Sequence, residues 1–131
     1  MLYCDLDRFK SINDGFGHLE GDYVLRQFAG ILRSTFRSSD VLARLGGDEF
    51  VVMLTNADPA TIDAAMVRVE KEFSAFANLT PRGYPLGCSL GLVSYEGHRL
   101  PDLDTMIAAA DARMYAMKKR RVQGGVGAST T

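Results

Sequence analysis

The fold of this chain is decided by residues 44–50, which read Arg44-Leu45-Gly46-Gly47-Asp48-Glu49-Phe50. Apolar runs flank the glycine pair on both sides, at residues 41–43 and 50–54. Because glycine tolerates the positive φ of tight turns, two short apolar runs around a glycine pair predict a β-hairpin. Two carboxylates directly follow the pair, so they are expected at the lip of the turn. Like charges this close repel unless a cation or a proton relieves them.

Composition limits the classes of protein to which the chain can belong. A length of 131 residues indicates one domain, and a hydrophobic content of 47% is enough for a sizeable core. The net charge of −1 gives no general attraction to nucleic acid or to an anionic membrane surface. No apolar run approaches the roughly 20 residues of a membrane span. We therefore expect no nucleic-acid partner and no direct membrane insertion by this segment.

The two cysteines, Cys4 and Cys88, lie in apolar, strand-like segments without the spacing of metal ligands. Two cysteines are too few for a disulfide framework, so buried, reduced thiols are expected. Residues 1–5 lack the pattern of a signal peptide. The predicted location is the cytoplasm, which includes the cytoplasmic part of a larger membrane-bound protein.

Apolar periodicity and turn residues predict an alternation of strands and helices. Three glycines interrupt the polar residues 8–22, which are predicted to form a loop or a short helical turn rather than regular structure. The predicted elements are a strand at 1–6, this loop, a helix opened by Asp22, a hairpin over 41–54, a helix opened by Asp58 and Pro59, a strand at 86–95 and a helix at 104–121. This order indicates an α/β (α+β) sandwich whose helices flank a central, mixed and mostly antiparallel sheet.

The two ends of the chain lead to separate expectations. The chain begins on a core strand, so we expect the N-terminal part of the domain to be missing. Residues 123–131 are rich in small and polar residues and predict a disordered tail. The domain itself is expected over residues 1–122.

Three carboxylates are predicted to converge at one edge of the sheet. If the first strand and the hairpin are neighbours, Asp5 meets Asp48 and Glu49 there. The backbone carbonyl of Leu6 adds an oxygen ligand, and Mg²⁺ prefers such ligands when it also holds substrate phosphates. Divalent ions held by carboxylates suit the in-line attack of a hydroxyl on phosphorus. The alternative is an ordinary acidic hairpin turn, which is the more common explanation of Gly-Gly-Asp-Glu taken alone.

Other polar residues fit a nucleotide at the same edge. Lys10 and Lys118 supply positive charge for phosphate oxygens. Asn13 and Asp22 offer the amide and the carboxylate that a guanine edge requires. Composition and periodicity permit this arrangement without proving it.

Several motifs, in the right order and spacing, give the chain a close resemblance to the GGDEF domains, the diguanylate cyclases. Residues 44–50 carry the signature, and residues 5–14 resemble the family's first strand and nucleotide loop. Residues 16–22 look like its guanine-reading stretch, and residues 111–118 resemble its terminal helix. The resemblance covers roughly residues 1–119 and implies the palm-like fold of nucleotide cyclases and polymerases.

The resemblance also implies roles for individual residues. Asp5 and Asp48 would be the principal ligands of Mg²⁺ or Mn²⁺, helped by the Leu6 carbonyl and Glu49. Asp48 would also accept the proton of the 3′-hydroxyl, and Lys10 would stabilise charge in the transition state. The substrate-binding set would comprise the backbone amides around Arg8 and Phe9, together with Asn13, His18, Asp22, Gly47 and Lys118.

In this family each subunit holds one GTP, and two subunits face each other. The resemblance therefore implies a homodimer that condenses two GTP into cyclic di-GMP and two pyrophosphates. It also implies a sensory or dimerising region fused to this domain in the full-length protein.

A second site is implied by Arg37-Ser38-Ser39-Asp40, which occupies the position of the family's product-inhibition motif. Arg68 stands where the family often has a second arginine for that site. Arginine forks suit bidentate contacts to guanine or phosphate. The simpler interpretation of Arg37 and Asp40 is a surface ion pair of little energetic value.

Two departures from the family pattern leave alternatives open. The chain lacks the family's initial helix and its Asp-x-Leu-Thr-Gly-Leu-x-Asn-Arg segment, and Lys119-Arg120-Arg121 stands where Gly-Arg-Asn usually follows. The alternative function is a catalytically silent module that binds GTP or cyclic di-GMP as a regulatory receptor. A third hypothesis is another nucleotidyltransferase with the same metal chemistry, such as an adenylate cyclase or a polymerase palm.

Overall fold

A computed structural model describes residues 1–79, 83–95 and 100–128, with the side chains described as far as residue 119. Four strands and four helices are present in this part of the chain. In chain order they are β1 (Leu2–Leu6), α1 (Phe9–Phe16), α2 (His18–Thr35), β2 (Val41–Gly46), β3 (Glu49–Met53), α3 (Pro59–Leu79), β4 (Cys88–Leu92) and α4 (Leu103–Ala128).

The four strands form one sheet in the order β2-β3-β1-β4. Each of its three neighbouring pairs is antiparallel. The predicted sandwich of helices around a central sheet is confirmed. The sheet was expected to be mixed, whereas the described strands show antiparallel pairing throughout, because both neighbours of the central strand β1 run opposite to it.

One face of the sheet is covered by α2 and α3. Leu2, Cys4 and Leu6 alternate along β1 and join the core that includes Phe28 of α2 and Phe73 of α3. Since successive side chains of a strand point to opposite faces, this alternation assigns the intervening residues of β1 to the other face. Cys4 and Cys88 are buried in this core as thiols, as predicted, and burial raises the pKa of the Cys4 thiol.

The opposite face of β1 and β4 is covered by α4. Tyr3 packs there with Met106, Ala110 and Met114. At Gly91 the helix backbone comes so close that a β-carbon would lie 2.4 Å from the Ala110 carbonyl oxygen. This close contact places the last helix directly over β4, and it positions the C-terminal half of α4 near the end of β1.

The starts of α3 and α4 are capped by aspartates. The Asp58 carboxylate accepts a 2.7 Å hydrogen bond from the Thr61 amide, and Asp102 accepts an equivalent bond from the Thr105 amide. An N-cap carboxylate satisfies one of the unpaired N–H groups of the first turn. The helix predicted from Asp58 and Pro59 is therefore confirmed.

The prediction for residues 8–22 was wrong. These residues form α1 and the first turn of α2, which begins at His18 rather than at Asp22. Gly17 alone separates the two helices, with φ of 93°. Gly21 serves helix packing instead, because a β-carbon there would lie 1.9 Å from the Asn13 side-chain oxygen. A glycine that permits close contact was thus mistaken for a glycine that interrupts a helix.

The boundaries of two later elements also differ from the prediction. The strand expected at 86–95 is limited to Cys88–Leu92, which are the residues that pair with β1. The last helix continues to Ala128 and so includes residues expected in the disordered tail. Glycine lowers helix propensity without forbidding the helical backbone, which the glycine-rich end of α4 illustrates. Residues 129–131 of the predicted tail lie outside the described residues.

Among the described residues, no helix combines the length and the apolar character needed to cross a bilayer.

Candidate active site at the end of the central strand

The sheet register brings the predicted carboxylates to one end of β1. Asp5 lies directly opposite Glu49 in the antiparallel ladder. The backbone amide of Leu6 donates a 3.3 Å hydrogen bond to the carbonyl oxygen of Asp48, in the turn between β2 and β3. The convergence of Asp5, Leu6, Asp48 and Glu49, which the sequence only permitted, is thus produced by the pairing of β1 with the hairpin.

Arg44 supports the turn that carries Asp48. Its Nε lies 3.2 Å from the carbonyl oxygens of both Gly46 and Gly47, and its Nη2 donates a 2.7 Å hydrogen bond to Gly47. The β2–β3 ladder is irregular between Arg44 and Gly46, which is the feature of a β-bulge. The side chain of Arg44, in β2, therefore stabilises the hairpin turn that follows this strand.

Lys118 brings a positive charge to the carboxylates. Its Nζ lies 3.1 Å from Asp5 Oδ1 and 3.6 Å from Asp7 Oδ1. Lys118 belongs to α4, which packs against the same face of β1 on which Asp5 lies. The predicted site lysine and the first predicted metal ligand are therefore in direct contact.

The pKa values of the site reflect burial and crowding of like charges. Burial raises the pKa of Asp5 to about 6, with Asp48 and Asp7 adding to the rise and Lys118 opposing it. Burial also raises the pKa of Asp48, and the charge of Glu49 adds to this. Burial alone would lower the pKa of Lys118, but its hydrogen bond and charge interaction with Asp5 produce a net rise. The site therefore favours a bound cation or a proton.

The donor set fits a magnesium ion that also contacts substrate. Among the residues described, no three His, Cys, Asp or Glu side chains come together as a ready-made metal cage. Mg²⁺, however, is commonly held by one or two carboxylates, waters and substrate phosphates rather than by a cage of protein ligands. Asp5, Asp48, Glu49 and the Leu6 carbonyl supply oxygen atoms of that kind at one end of β1.

The predicted phosphate-binding residues lie at the start of α1. Arg8 has left-handed backbone angles, with φ of 56°, and no side chain among the described residues makes a capping hydrogen bond to the helix. The first N–H groups of a helix lack partners within the helix, so the amides beginning at Phe9 and Lys10 are unpaired by α1 itself. Helix N-termini of this kind favour anions.

The predicted guanine-reading residues lie on two helices that pack together. Asn13 belongs to α1, and its side chain lies against Gly21 of α2, the neighbour of Asp22. His18 is exposed at the first position of α2. The structure therefore brings Asn13 close to the segment that carries Asp22, through the contact at Gly21.

The predicted product-inhibition residues form one compact turn and one separate pair. Arg37 Nη2 lies 3.3 Å from Asp40 Oδ1 and 2.8 Å from the carbonyl oxygen of Thr55. Arg68 instead pairs with Glu72 on α3, at 2.9 Å.

Asp7 is a site residue that sequence reasoning did not assign. Its Oδ1 accepts a 2.6 Å hydrogen bond from the fully buried Ser89, and its amide donates to the Gly87 carbonyl oxygen at 2.8 Å. A β-carbon at Gly87 would lie 2.9 Å from Asp7 Oδ2, so the glycine permits this close contact. The only sequence signal was a glycine beside an apolar strand, which indicates close approach of another group.

Comparison with known proteins agrees with this geometry. The family model described as "Diguanylate cyclase, GGDEF domain" matches residues 1–123. The chain is 38% identical to the diguanylate cyclase DosC of Escherichia coli K12 over 124 residues, which cover 92% of this chain and 26% of DosC. It is 41% identical to the diguanylate cyclase DgcP of Pseudomonas aeruginosa, with 91% of this chain and 18% of DgcP covered.

A solved structure has the same fold. The active GGEEF domain of a diguanylate cyclase from Vibrio cholerae superposes with a TM-score of 0.73 at 26% identity, over 91% of this chain and 75% of that one. The chain spans about a quarter or less of the curated relatives named above. With the family model matched over nearly its whole length, this chain belongs to the GGDEF domain family of diguanylate cyclases.

Proposed function

We propose that this domain is a Mg²⁺-dependent diguanylate cyclase that condenses two GTP into cyclic di-GMP and two pyrophosphates. The observation that carries the proposal is the meeting of Asp5, Asp48 and Glu49 at one end of β1, with Lys118 within ion-pair distance of Asp5. Relatives that are named diguanylate cyclases and cover most of this chain support it.

Each residue of the site has a task that follows from its chemistry. Mg²⁺, when held by Asp5, Asp48, Glu49 and the Leu6 carbonyl, supplies Lewis-acid stabilisation of charge on the reacting phosphate. Asp48, whose pKa is raised, accepts the proton of the attacking 3′-hydroxyl. Lys118 and Lys10 stabilise negative charge on the phosphate oxygens.

The two packed helices, α1 and α2, carry the residues that select the base of the substrate. Asn13 and Asp22 offer hydrogen-bond partners to the Watson–Crick edge of guanine, while the amides at Arg8 and Phe9 and the backbone at Gly47 line the path of the phosphates. His18 lies at the start of α2 beside this region. This set selects GTP over ATP, because a site that hydrogen-bonds one base leaves polar groups unpaired with the other.

Catalysis requires two copies of the domain. One domain holds one GTP, and the 3′-hydroxyl of each GTP attacks the α-phosphate of the other, so product forms only across a homodimer. In the full-length protein, a fused sensory or dimerising region sets how often two domains meet. The proposed compartment is the cytoplasm, where GTP is present.

The product regulates the domain through the turn that holds Arg37 and Asp40. The buried Asp40 carboxylate and the Thr55 carbonyl fix the Arg37 side chain, which stays about half exposed. A preorganised guanidinium of this kind is suited to a guanine edge or a phosphate. Arg68 joins this site from α3 once its exposed pair with Glu72 is exchanged for product.

The proposed activity is tested by incubating the purified chain with GTP and Mg²⁺ and separating the nucleotides by chromatography. Cyclic di-GMP is expected from the original chain and from Asp63→Ala, which removes an exposed carboxylate of α3. Asp48→Ala removes a half-buried carboxylate of the turn and should abolish synthesis, with an unchanged circular dichroism spectrum. Synthesis by Asp48→Ala would refute the assignment, whereas nucleotide binding without product in every variant would favour a receptor function.

A further inference from the structure

A pocket of about 340 Å³ lies between α2 and the hairpin, on the sheet face opposite to Lys118. Its apolar part is formed by Leu25 and Ala29 of α2, Leu42 of β2 and Phe50 of β3. Leu25 and Phe50 are buried core residues, so this floor is part of the packed core. The described lining residues include none of those assigned above to GTP, metal or product.

The rest of the lining is strongly basic. Arg26 and Arg33 of α2 and Arg44 of β2 complete the wall, and none of the described residues that line the pocket carries a carboxylate. Arg33 lies seven positions after Arg26, so both lie on one side of the helix about two turns apart. Three guanidinium groups around an apolar floor create a positive potential that attracts anions.

Two of the three guanidinium groups have no ion-pair or hydrogen-bond partner among the described residues. Within residues 1–79, 83–95 and 100–128, neither Arg26 nor Arg33 makes an ion pair or a side-chain hydrogen bond, whereas Arg44 donates to the carbonyls of Gly46 and Gly47. Exposed arginines near carboxylates commonly pair with them, as Arg37 and Arg68 do in this chain. The charge of the pocket is therefore available to a ligand.

We propose that this pocket binds a small organic phosphate that carries a flat, apolar ring. The planar guanidinium fork forms parallel hydrogen bonds to phosphate oxygens and also stacks on aromatic rings. The apolar floor provides a surface for the ring, and the volume lies within the range of small-molecule pockets. A phosphate without a ring would leave the floor unfilled, and a ring without a phosphate would leave the Arg26 and Arg33 guanidinium groups unpaired.

The location gives such a ligand access to the active site through one side chain. Arg44 lines the pocket and also holds the carbonyls of the turn that precedes Asp48. A phosphate bound to Arg44 competes with those carbonyls for the same N–H groups. A ligand in the pocket therefore weakens the hydrogen bonds by which Arg44 holds the hairpin turn.

The pocket is tested with 1-naphthyl phosphate as the probe, by isothermal titration calorimetry without GTP or metal. The uncharged 1-naphthol and inorganic phosphate are the matched ligand controls. Binding of 1-naphthyl phosphate that exceeds both controls by about tenfold or more is expected, since each control lacks one half of the interaction. Equal binding of 1-naphthol, or equal binding of inorganic phosphate, would overturn the proposal.

The matched protein variants are the double substitution Arg26→Gln with Arg33→Gln, and Arg113→Gln as control. Arg113 is an exposed arginine of α4, on the other side of the sheet. The double variant is expected to raise the Kd for 1-naphthyl phosphate by about tenfold or more, because two charge-assisted contacts are lost. An unchanged Kd in the double variant, or an equal rise in Arg113→Gln, would assign the binding elsewhere. Thermal unfolding confirms that both variants fold, and none of these readouts depends on cyclase activity.

Discussion

The ammonium group of Lys118 lies 3.1 Å from the Asp5 carboxylate, although 113 residues separate them in the chain. The contact joins α4 to the central strand at the point where Asp48 and Glu49 also arrive. It places a cation among carboxylates whose mutual repulsion would otherwise be larger. Lys118 thus balances the charge of the site from the C-terminal helix.

Replacement of Lys118 by methionine should raise the pKa of Asp5 further above about 6. Lys118 lowers that pKa by its hydrogen bond and its charge, so burial and the neighbouring carboxylates act unopposed without it. The measurement is a carbon-detected NMR titration of the Asp5 carboxyl group. Lys119→Met removes the adjacent, exposed lysine and should leave the titration unchanged. If the pKa of Asp5 were the same in Lys118→Met as in the original chain, the ion pair would not form in solution.

Asp5→Asn should stabilise the fold at pH 8 and have little effect near pH 4. The pKa of Asp5 is raised from 3.8 to about 6 on folding, chiefly by burial. The native state therefore binds the proton more tightly, so the contribution of Asp5 to stability is full below about pH 4 and is lost as the pH rises through about 6. Asparagine avoids this loss.

The pKa rise from 3.8 to about 6 corresponds to about 3 kcal/mol, at about 1.4 kcal/mol for each unit. Because Asp5 is only partly shielded from solvent, screening reduces the expected gain for Asp5→Asn at pH 8 to about 2 kcal/mol in the free energy of unfolding. Urea unfolding at the two pH values measures it. Asp63→Asn changes an exposed carboxylate and should show no such pH-dependent difference. A loss of stability at pH 8 in Asp5→Asn would mean that the Lys118 pair outweighs burial.

Gly91→Ala should destabilise the domain strongly. The added methyl group would lie 2.4 Å from both the Ala110 carbonyl oxygen and the Met114 nitrogen, which are rigid backbone atoms of α4. Overpacking of this severity costs about 3 kcal/mol or more. Urea denaturation followed by circular dichroism gives the difference. A variant as stable as the original chain would contradict the close contact between α4 and β4.

The matched control for that substitution is Gly30→Ala. Gly30 lies within α2, and no atom of the described part of the chain lies within 4 Å of a β-carbon added there. Alanine has the higher helix propensity, so Gly30→Ala should stabilise the domain by about 0.5–1 kcal/mol. The two glycine substitutions therefore have opposite expected signs, which separates packing from backbone propensity.

Arg37→Ala should relieve inhibition by cyclic di-GMP and leave GTP affinity unchanged. The Arg37 guanidinium is fixed by Asp40 and Thr55, away from Asp5 and the hairpin turn. Loss of a preorganised bidentate contact raises the inhibition constant by about tenfold. Steady-state assays with added cyclic di-GMP measure it, with Arg113→Ala as the surface control. Inhibition that is equal in Arg37→Ala and the original chain would refute the product-binding role.

Secondary-structure elements that are determined by residues close together in the sequence were predicted well. The hairpin follows from a glycine pair between apolar runs, and it is observed as β2 and β3. The start of α3 follows from Asp58, whose carboxylate caps the helix within three residues. Such features depend on neighbours along the chain, so periodicity and turn chemistry are sufficient to find them.

Features that depend on contact between distant segments were missed. Gly21 and Gly87 resemble breaks in regular structure, yet each makes room for a polar side chain, Asn13 and Asp7 respectively. Asp7 is held in the site by a hydrogen bond from Ser89, which lies 82 residues further along the chain. Propensity alone does not distinguish a glycine needed for its backbone angles from one needed for its missing side chain.

The sequence by itself determined the family and the hairpin, and it provided the candidate site residues. Only the tertiary structure decided that Lys118 contacts Asp5, that Asp7 is held by Ser89, and that two arginines of α2 face an apolar pocket with Arg44. The physical reason is that local patterns select helices and strands, whereas the pairing of β1 with its neighbours and the packing of α2 and α4 determine which side chains meet.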